Sequence, residues 1–160
     1  MKSAGRVVTR DELLRRAASW RVSGKTVALA NGLFDLVHVG HLRYLEEAAM
    51  LADVLVVAIN DDASARALKG EGRPIVPQQE RAELIAGFRC VALVTLFGEA
   101  TVEALLQALV PDVHCKGTDY TADTVPERET ARALGIRVAI TGDSKDHATR
   151  DLIARIRGAR

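Results

Sequence analysis

The chain has 160 residues, 22 of them basic and 21 acidic, for a formal charge of +1 with histidines neutral. One domain of that length buries about 70% of the surface its unfolded chain exposes, so it needs no disulfide framework, and a charge this near zero lacks the basic face through which nucleic-acid binders work. Apolar residues make up 48% of the chain, which excludes compositional disorder, and the longest apolar runs, at 54–59 and 91–97, fall far short of the ~20 residues that span a bilayer.

The start, MKSAGRVVTRDELL, is charged within a few residues and has no signal-peptide core, so neither leader nor membrane anchor is expected. Thr9 and Glu12 have capping-box spacing and open a helix that runs to about residue 20. Residues 1–24 read as a helical appendage and 25–160 as the main domain. Short β-branched runs follow at 26–30, 54–60, 91–96, 113–116 and 137–141. Segments with helical spacing lie at 39–52, 61–68, 77–88, 101–109, 126–134 and 149–157. Strands alternating with helices make βαβ units, and continuous apolar runs such as VLVVAIN suit a sheet covered on both faces. The expected fold is α/β, Rossmann-like and doubly wound. It has a five-stranded, mainly parallel sheet with helices on both faces and a ligand crevice beyond the strand carboxyl ends. The segment 69–77, KGEGRPIVP, is the most flexible stretch by composition and falls near the crevice mouth. Cys90 and Cys115 lie in separate apolar runs without CxxC spacing and read as buried thiols in a reducing, cytoplasmic compartment.

The most informative segment is 31–41, NGLFDLVHVGH, between the first strand and an amphipathic helix on which Leu42, Leu45 and Ala49 share a face. His38 and His41 project to the same side of the first turn. Gly40 between them removes a side chain where a ligand meets the backbone. Open N–H groups and the positive end of the helix dipole favour an anion here. Two imidazoles at such a site donate hydrogen bonds to phosphate oxygens and stabilise charge developing on them. A metal pair is one rival, although with Asp35 alone it makes an incomplete zinc set; two satisfied structural histidines are another. The full string at a strand-to-helix turn favours nucleotide phosphate.

Asn-Gly-x-Phe-Asp followed by His-x-Gly-His resembles the nucleotidyltransferase superfamily with the HxGH signature. Over about residues 9–157, the strings NGLFDLVHVGHLRYLEEAAMLAD, NDDAS, LKGEGRPI and KGTDYT are similar to the adenylyltransferase domain acting on heptose 1-phosphate. The resemblance implies a nucleoside triphosphate with Mg²⁺. A phosphate oxygen of a second substrate attacks the α-phosphorus in line and pyrophosphate leaves, so catalysis is mostly positioning and charge stabilisation. It implies that His38 and His41 hold the triphosphate, that the Leu33–Phe34 backbone approaches the α-phosphate, and that Asp35 orients it through Mg²⁺ or a water on the metal. Lys69 can neutralise a phosphate from a mobile basic lid that contains Gly70 and Gly72. Arg73 and Arg81 are candidates for bidentate contacts to the sugar phosphate, and Arg81 near a helix start needs an anionic partner. Asn60 and Asp61 are expected to meet sugar hydroxyls, with Asp62 as the helix cap. Lys116, Gly117, Asp119 and Tyr120 fall at one crevice edge for nucleotide or sugar recognition, though a turn alone accounts for Gly117 and Asp119.

At the last helix, SKDHATRDLIARI, relatives usually carry Gly-x-Ser-Thr. Here Asp146 and Ala148 replace the Gly and Ser, Thr149 keeps one hydroxyl, and Lys145, His147 and Arg150 add positive charge. Thr149 and the flanking Ala148 and Arg150 are thereby candidates for binding the triphosphate, with an ordinary N-cap as the alternative for Thr149. Leu33 and Pro126 depart from the residues relatives often have. The expectation is an enzyme transferring AMP from ATP to a sugar 1-phosphate, D-glycero-D-manno-heptose 1-phosphate foremost, with no nucleic-acid or membrane partner and with a homodimer implied by the resemblance. The alternatives are a cytidylyltransferase using CTP with a polyol phosphate or phosphonate, and a non-catalytic nucleotide-binding module.

Overall fold

The computed structural model describes residues 6–144 and 148–158. Five strands, β1 (Val27–Gly32), β2 (Val54–Asn60), β3 (Leu93–Phe97), β4 (Val113–Gly117) and β5 (Arg137–Thr141), form one sheet in the order β3-β2-β1-β4-β5. Every neighbouring pair is parallel. β2 is buried at each of its positions, as a strand with helices over both faces must be.

The helices are α1 (Arg10–Val22), α2 (Val39–Ala49), α3 (Asp62–Lys69), α4 (Gln78–Ala86), α5 (Glu103–Leu109), α6 (Arg128–Ala133) and α7 (Thr149–Gly158). Tyr44, Leu45 and Ala48 of α2 and Ala82, Ile85 and Ala86 of α4 pack with Ala28, Ala30, Val57 and Cys115 on one face. Leu13 and Ala17 of α1, Leu105, Leu106 and Leu109 of α5, and Ala131 of α6 pack with Leu29, Val56 and Leu93 on the other. The amino-terminal helix thus belongs to a core layer, capped by Thr9 Oγ1, which accepts from the Glu12 N–H at 3.2 Å. The buried stripe of α2 is Tyr44, Leu45 and Ala48 rather than Leu42, Leu45 and Ala49. A one-residue rotation of that stripe brings the tyrosine, an aromatic with a polar tip, against the sheet.

The register places the crevice. β1 pairs with β2 as far as Gly32↔Ile59, and β4 with β5 as far as Gly117↔Thr141. Between β1 and β4 the ladder holds only Ala28↔Val113 to Ala30↔Cys115. The two strands therefore part at their carboxyl ends, at the point where the strand order reverses, which is where open α/β sheets take their ligands.

The segment 69–77, expected to be flexible, is tied down. The backbone N–H groups of Ile75 and Val76 donate to the buried Asp35 carboxylate at 2.8 and 2.9 Å. Among the described residues no helix is long and apolar enough to cross a membrane.

Candidate nucleotide site

The site begins where β1 ends. Phe34 adopts φ of 51°, a left-handed conformation that costs a non-glycine residue about 1–2 kcal/mol. Packing holds it there. Its buried ring lies 5.2 Å from that of His41 and 6.3 Å from that of Tyr44, nearly parallel to the latter at 14°. The Leu33 carbonyl accepts from Arg81 Nη1 at 2.5 Å, so the turn is fixed from both sides.

His38 and His41 then close a capping box made of two imidazoles. His38 Nδ1 accepts from the Gly40 N–H at 3.1 Å, and His41 Nδ1 accepts from the His38 N–H at 3.3 Å. A neutral imidazole that accepts at Nδ1 carries its proton on Nε2. The backbone thereby selects the tautomer in which each ring is an Nε2–H donor. The rings sit 4.0 Å apart and both are half-buried. Burial, reinforced by the neighbouring His38, pushes the His41 pKa down to about 4, so His41 meets a ligand as a neutral donor. One expectation is revised: the Gly40 N–H is consumed by His38, so the anion is offered ring N–H groups there rather than a fully open helix start.

Asp35 does not fit a metal. It is buried, and its two oxygens accept from Arg73 Nε at 2.6 Å and from the N–H groups of Ile75 and Val76. Burial works against its ionised form, but the two backbone N–H groups and the Arg73 guanidinium outweigh it and hold the pKa below the usual carboxylate value. No three His, Cys, Asp or Glu side chains converge on a metal position among the described residues. The described residues therefore gather no ligand set for Mg²⁺. Asp35 serves instead to hold the loop that carries Arg73.

Arg81, expected at the sugar phosphate, is wholly buried. Its guanidinium donates to the carbonyls of Val76 and Leu33 and pairs with Asp62 at 2.8 Å. Asp62 is thus the anionic partner that an arginine early in α4 requires, and Arg81 is a positioning residue. Asn60 is buried and donates to Ser64 Oγ at 3.3 Å. Asp61, not Asp62, caps α3 by accepting from the Ser64 N–H at 2.8 Å. Both polar groups at this strand end bond to the helix start in this structure. Lys69 is exposed at the end of α3, followed by Gly70 and Gly72 with φ of 92° and 79°.

At the end of β4, Lys116 is buried and turned inward. Its Nζ lies 3.7 Å from Glu127 Oε2 and 4.6 Å from the centre of the Tyr120 ring. Burial lowers its pKa, while Glu127 opposes the shift. Lys116 therefore braces the KGTDY turn in this structure instead of projecting into the crevice. Gly117 ends the strand and Asp119 is exposed on the turn. Below them, His114 Nε2 and Asn31 Oδ1 are 2.9 Å apart across the foot of the split, and burial pushes the His114 pKa down to about 3.

The start of α7 reaches the same turn. Thr149 Oγ1 donates to the Leu36 carbonyl at 3.4 Å, and the Ala148 carbonyl accepts the first helical N–H, from Asp151. Arg150 is exposed beside Asp151, while Lys145, Asp146 and His147 lie outside the described residues. A cleft of about 340 Å³ runs between this helix and the 70s loop, lined by Arg73, Ile75, Arg150, Ile153 and Arg157 among others.

Sequence reading passed over Tyr44, Asn31, Glu127 and Arg157. Tyr44 had one signal, its place three residues after His41. Asn31 opens the NGLFD string but drew no role of its own, and nothing local marks Glu127 or Arg157.

A parallel sheet parting at its switch point, with paired imidazole donors at the first helix start, defines an α/β protein of the class that takes its ligand in that crevice. The family model described as cytidylyltransferase-like matches residues 29–151, and the chain belongs to that family. It is 43% identical over 136 residues to the bifunctional protein HldE of Syntrophotalea carbinolica, covering 85% of this chain and 28% of that protein. To the HldE protein of Koribacter versatilis it is 45% identical over 148 residues, covering 92% of this chain and 30% of the relative. The chain thus spans under a third of these curated relatives. Among solved structures it resembles the lipopolysaccharide core biosynthesis protein of Thermoplasma volcanium. That match has a TM-score of 0.63 and 32% identity, and covers 73% of this chain and 94% of the other.

Proposed function

We propose that the chain transfers AMP from ATP to a sugar 1-phosphate, D-glycero-D-manno-heptose 1-phosphate, and releases pyrophosphate. An oxygen of the acceptor phosphate bonds to the α-phosphorus as the bond from that phosphorus to the β-phosphate bridging oxygen breaks. The triphosphate lies over the start of α2, and the Nε2–H groups of His38 and His41 donate to its oxygens. Because those donors are pre-oriented by the backbone, their gain is largest where negative charge grows in the transition state. Mg²⁺ arrives with ATP as part of the substrate. Lys69 on its glycine-flanked loop and Thr149 at the start of α7 close over the phosphates. Arg73, with Arg150 and Arg157 across the cleft, receives the acceptor phosphate.

The tautomer-fixed histidine pair carries the nucleotidyl-transfer reading. The sugar acceptor rests on the KGTDY and LKGEGRPI strings and on the role described for the Thermoplasma volcanium protein. The test is pyrophosphate release with each of the four nucleoside triphosphates against a panel of sugar 1-phosphates and polyol phosphates. Turnover with ATP and the heptose 1-phosphate is expected. Turnover with CTP alone makes the chain a cytidylyltransferase, and nucleotide binding without turnover makes it a binding module.

A further inference from the structure

We propose that Asn31 binds the nucleotide and that His114 is its positioning residue: the buried ring holds the side-chain oxygen of Asn31 and so leaves the amide N–H2 group as a donor for a ribose hydroxyl. The ligand rests on the nucleotide reading above; the orientation of the amide does not.

Side chains alternate between the two faces of a strand. Ala28 and Ala30 pack on the face covered by α2 and α4, and Val27 and Leu29 on the face covered by α1, α5 and α6. Asn31 therefore shares the face of Leu29. On β4, Val113 and Cys115 belong to the first face, so His114 lies on the second, beside its register partner Leu29. One step further along that face, Asn31 stands past Ala30↔Cys115, the last pair between β1 and β4. Its Oδ1 is 2.9 Å from His114 Nε2, a bond that crosses the floor of the crevice from one strand to the other.

Two arrangements fit that distance. In one, Nε2–H donates to Oδ1 and Nδ1 keeps a lone pair. In the other, the Asn31 amide donates to a bare Nε2 and Nδ1 keeps the proton. His114 is wholly buried, and its Nδ1 has no hydrogen-bond partner among the described residues. A buried N–H without an acceptor is the rarer orphan, so the first arrangement is the one the fold selects. Burial, helped by the Lys116 charge, pushes the His114 pKa down to about 3, so the ring does not carry both protons. Turning the amide over would force the proton onto Nδ1, where nothing accepts it. Asn31 itself is half-buried, and its Nδ2 has no partner among the described residues and is not sealed from solvent. The chain has thus spent the acceptor of this amide and kept its donors. In the proposed complex the triphosphate and Arg73 lie on the α2 and α4 side of the sheet. The amide lies on the other side, toward β4, where the nucleoside of a nucleotide seated over α2 crosses the crevice. An uncharged donor suits a hydroxyl oxygen there.

Calorimetric titration of His114→Leu, Asn31→Ala, the double variant and His114→Gln with Mg²⁺-ATP and with pyrophosphate tests this. His114→Leu releases the amide and is expected to weaken ATP binding about fivefold. Asn31→Ala should weaken it at least as much, and the double variant should bind no more weakly than Asn31→Ala alone. His114→Gln, whose side-chain N–H2 can donate to the same oxygen, should stay within about twofold of wild type. Pyrophosphate, which has no ribose, should bind every variant alike. ATP affinity unchanged in His114→Leu, or losses that add in the double variant, overturns the proposal. An equal loss for pyrophosphate marks a merely structural ring and also overturns it. If His114→Leu does not fold, Asn31→Asp decides, because it keeps an oxygen for His114 and replaces the donor with a carboxylate. ATP affinity should then fall by more than about tenfold, and an unchanged affinity overturns the proposal. If the wild-type protein binds no ATP, the nucleotide reading fails and the ¹⁵N shifts of the His114 ring decide the orientation. A protonated Nε2 with a bare Nδ1 supports it, and the reverse overturns it.

Discussion

The ends of β1 and β4 flank the same crevice and are built in opposite ways. At β1 the chain leaves the sheet through a strained Phe34, and the backbone uses the inner nitrogens of His38 and His41 as caps, which gives both rings an Nε2–H donor. At β4 a lysine that would suit a phosphate is folded back against Glu127 and Tyr120, while His114 is sealed beneath it. Both ends carry residues able to bind anions. What separates them is which atoms the fold has already used. At β1 the internal bonds take the nitrogens that chemistry does not need, and at β4 they take the charged group itself.

The largest effect should come from breaking the inward-turned end. Lys116→Met leaves Glu127 buried without its cation, and urea unfolding should show a loss of about 3–5 kcal/mol. Adding Glu127→Leu should recover most of it. A single variant as stable as wild type would mean the pair does not brace β4.

The outward-facing end is tested by His41→Ala. Turnover should fall by about 10²–10³-fold, while the lost cap lowers stability by only about 1 kcal/mol. A fall in rate that follows the fall in Tm would make the ring structural.

Acid should act on both ends. His41 and His114 hold pKa values near 4 and 3 against an ordinary 6.5. Below pH 6.5 the unfolded chain gains protons that these folded sites refuse. Their contribution to stability is therefore complete above that pH and is lost as the pH falls towards 4. Each adds a slope of up to about 1.4 kcal/mol per pH unit within that window. Unfolding measured from pH 7 to 4.5 should show it, and His41→Ala should remove its share.

The smallest effect belongs to a third strand end. Asp61→Ala should cost about 1 kcal/mol through the α3 cap and leave the acceptor KM within about twofold. A larger rise in that KM would restore Asp61 to the sugar site.

Much of this was legible beforehand. Periodicity located the strands and helices, because a buried parallel strand must be apolar throughout and a surface helix apolar on one stripe. The HxGH string was legible as a local unit, because its residues bond to neighbours a few positions away: His38 and His41 cap one another within one turn. Arg81, Asp35 and Lys116 were misjudged for the converse reason. Each is a charged residue whose partner lies 19 to 48 residues off, or on another element altogether, and no local pattern shows that the partner is there.

The sequence by itself determined the element types and the layered architecture, both of which follow from short-range spacing. The tertiary structure alone decided which charged groups remain for a ligand and how far the sheet opens. Those depend on distant groups satisfying one another's hydrogen bonds, as when Tyr44 on α2 donates to the Cys115 carbonyl of β4.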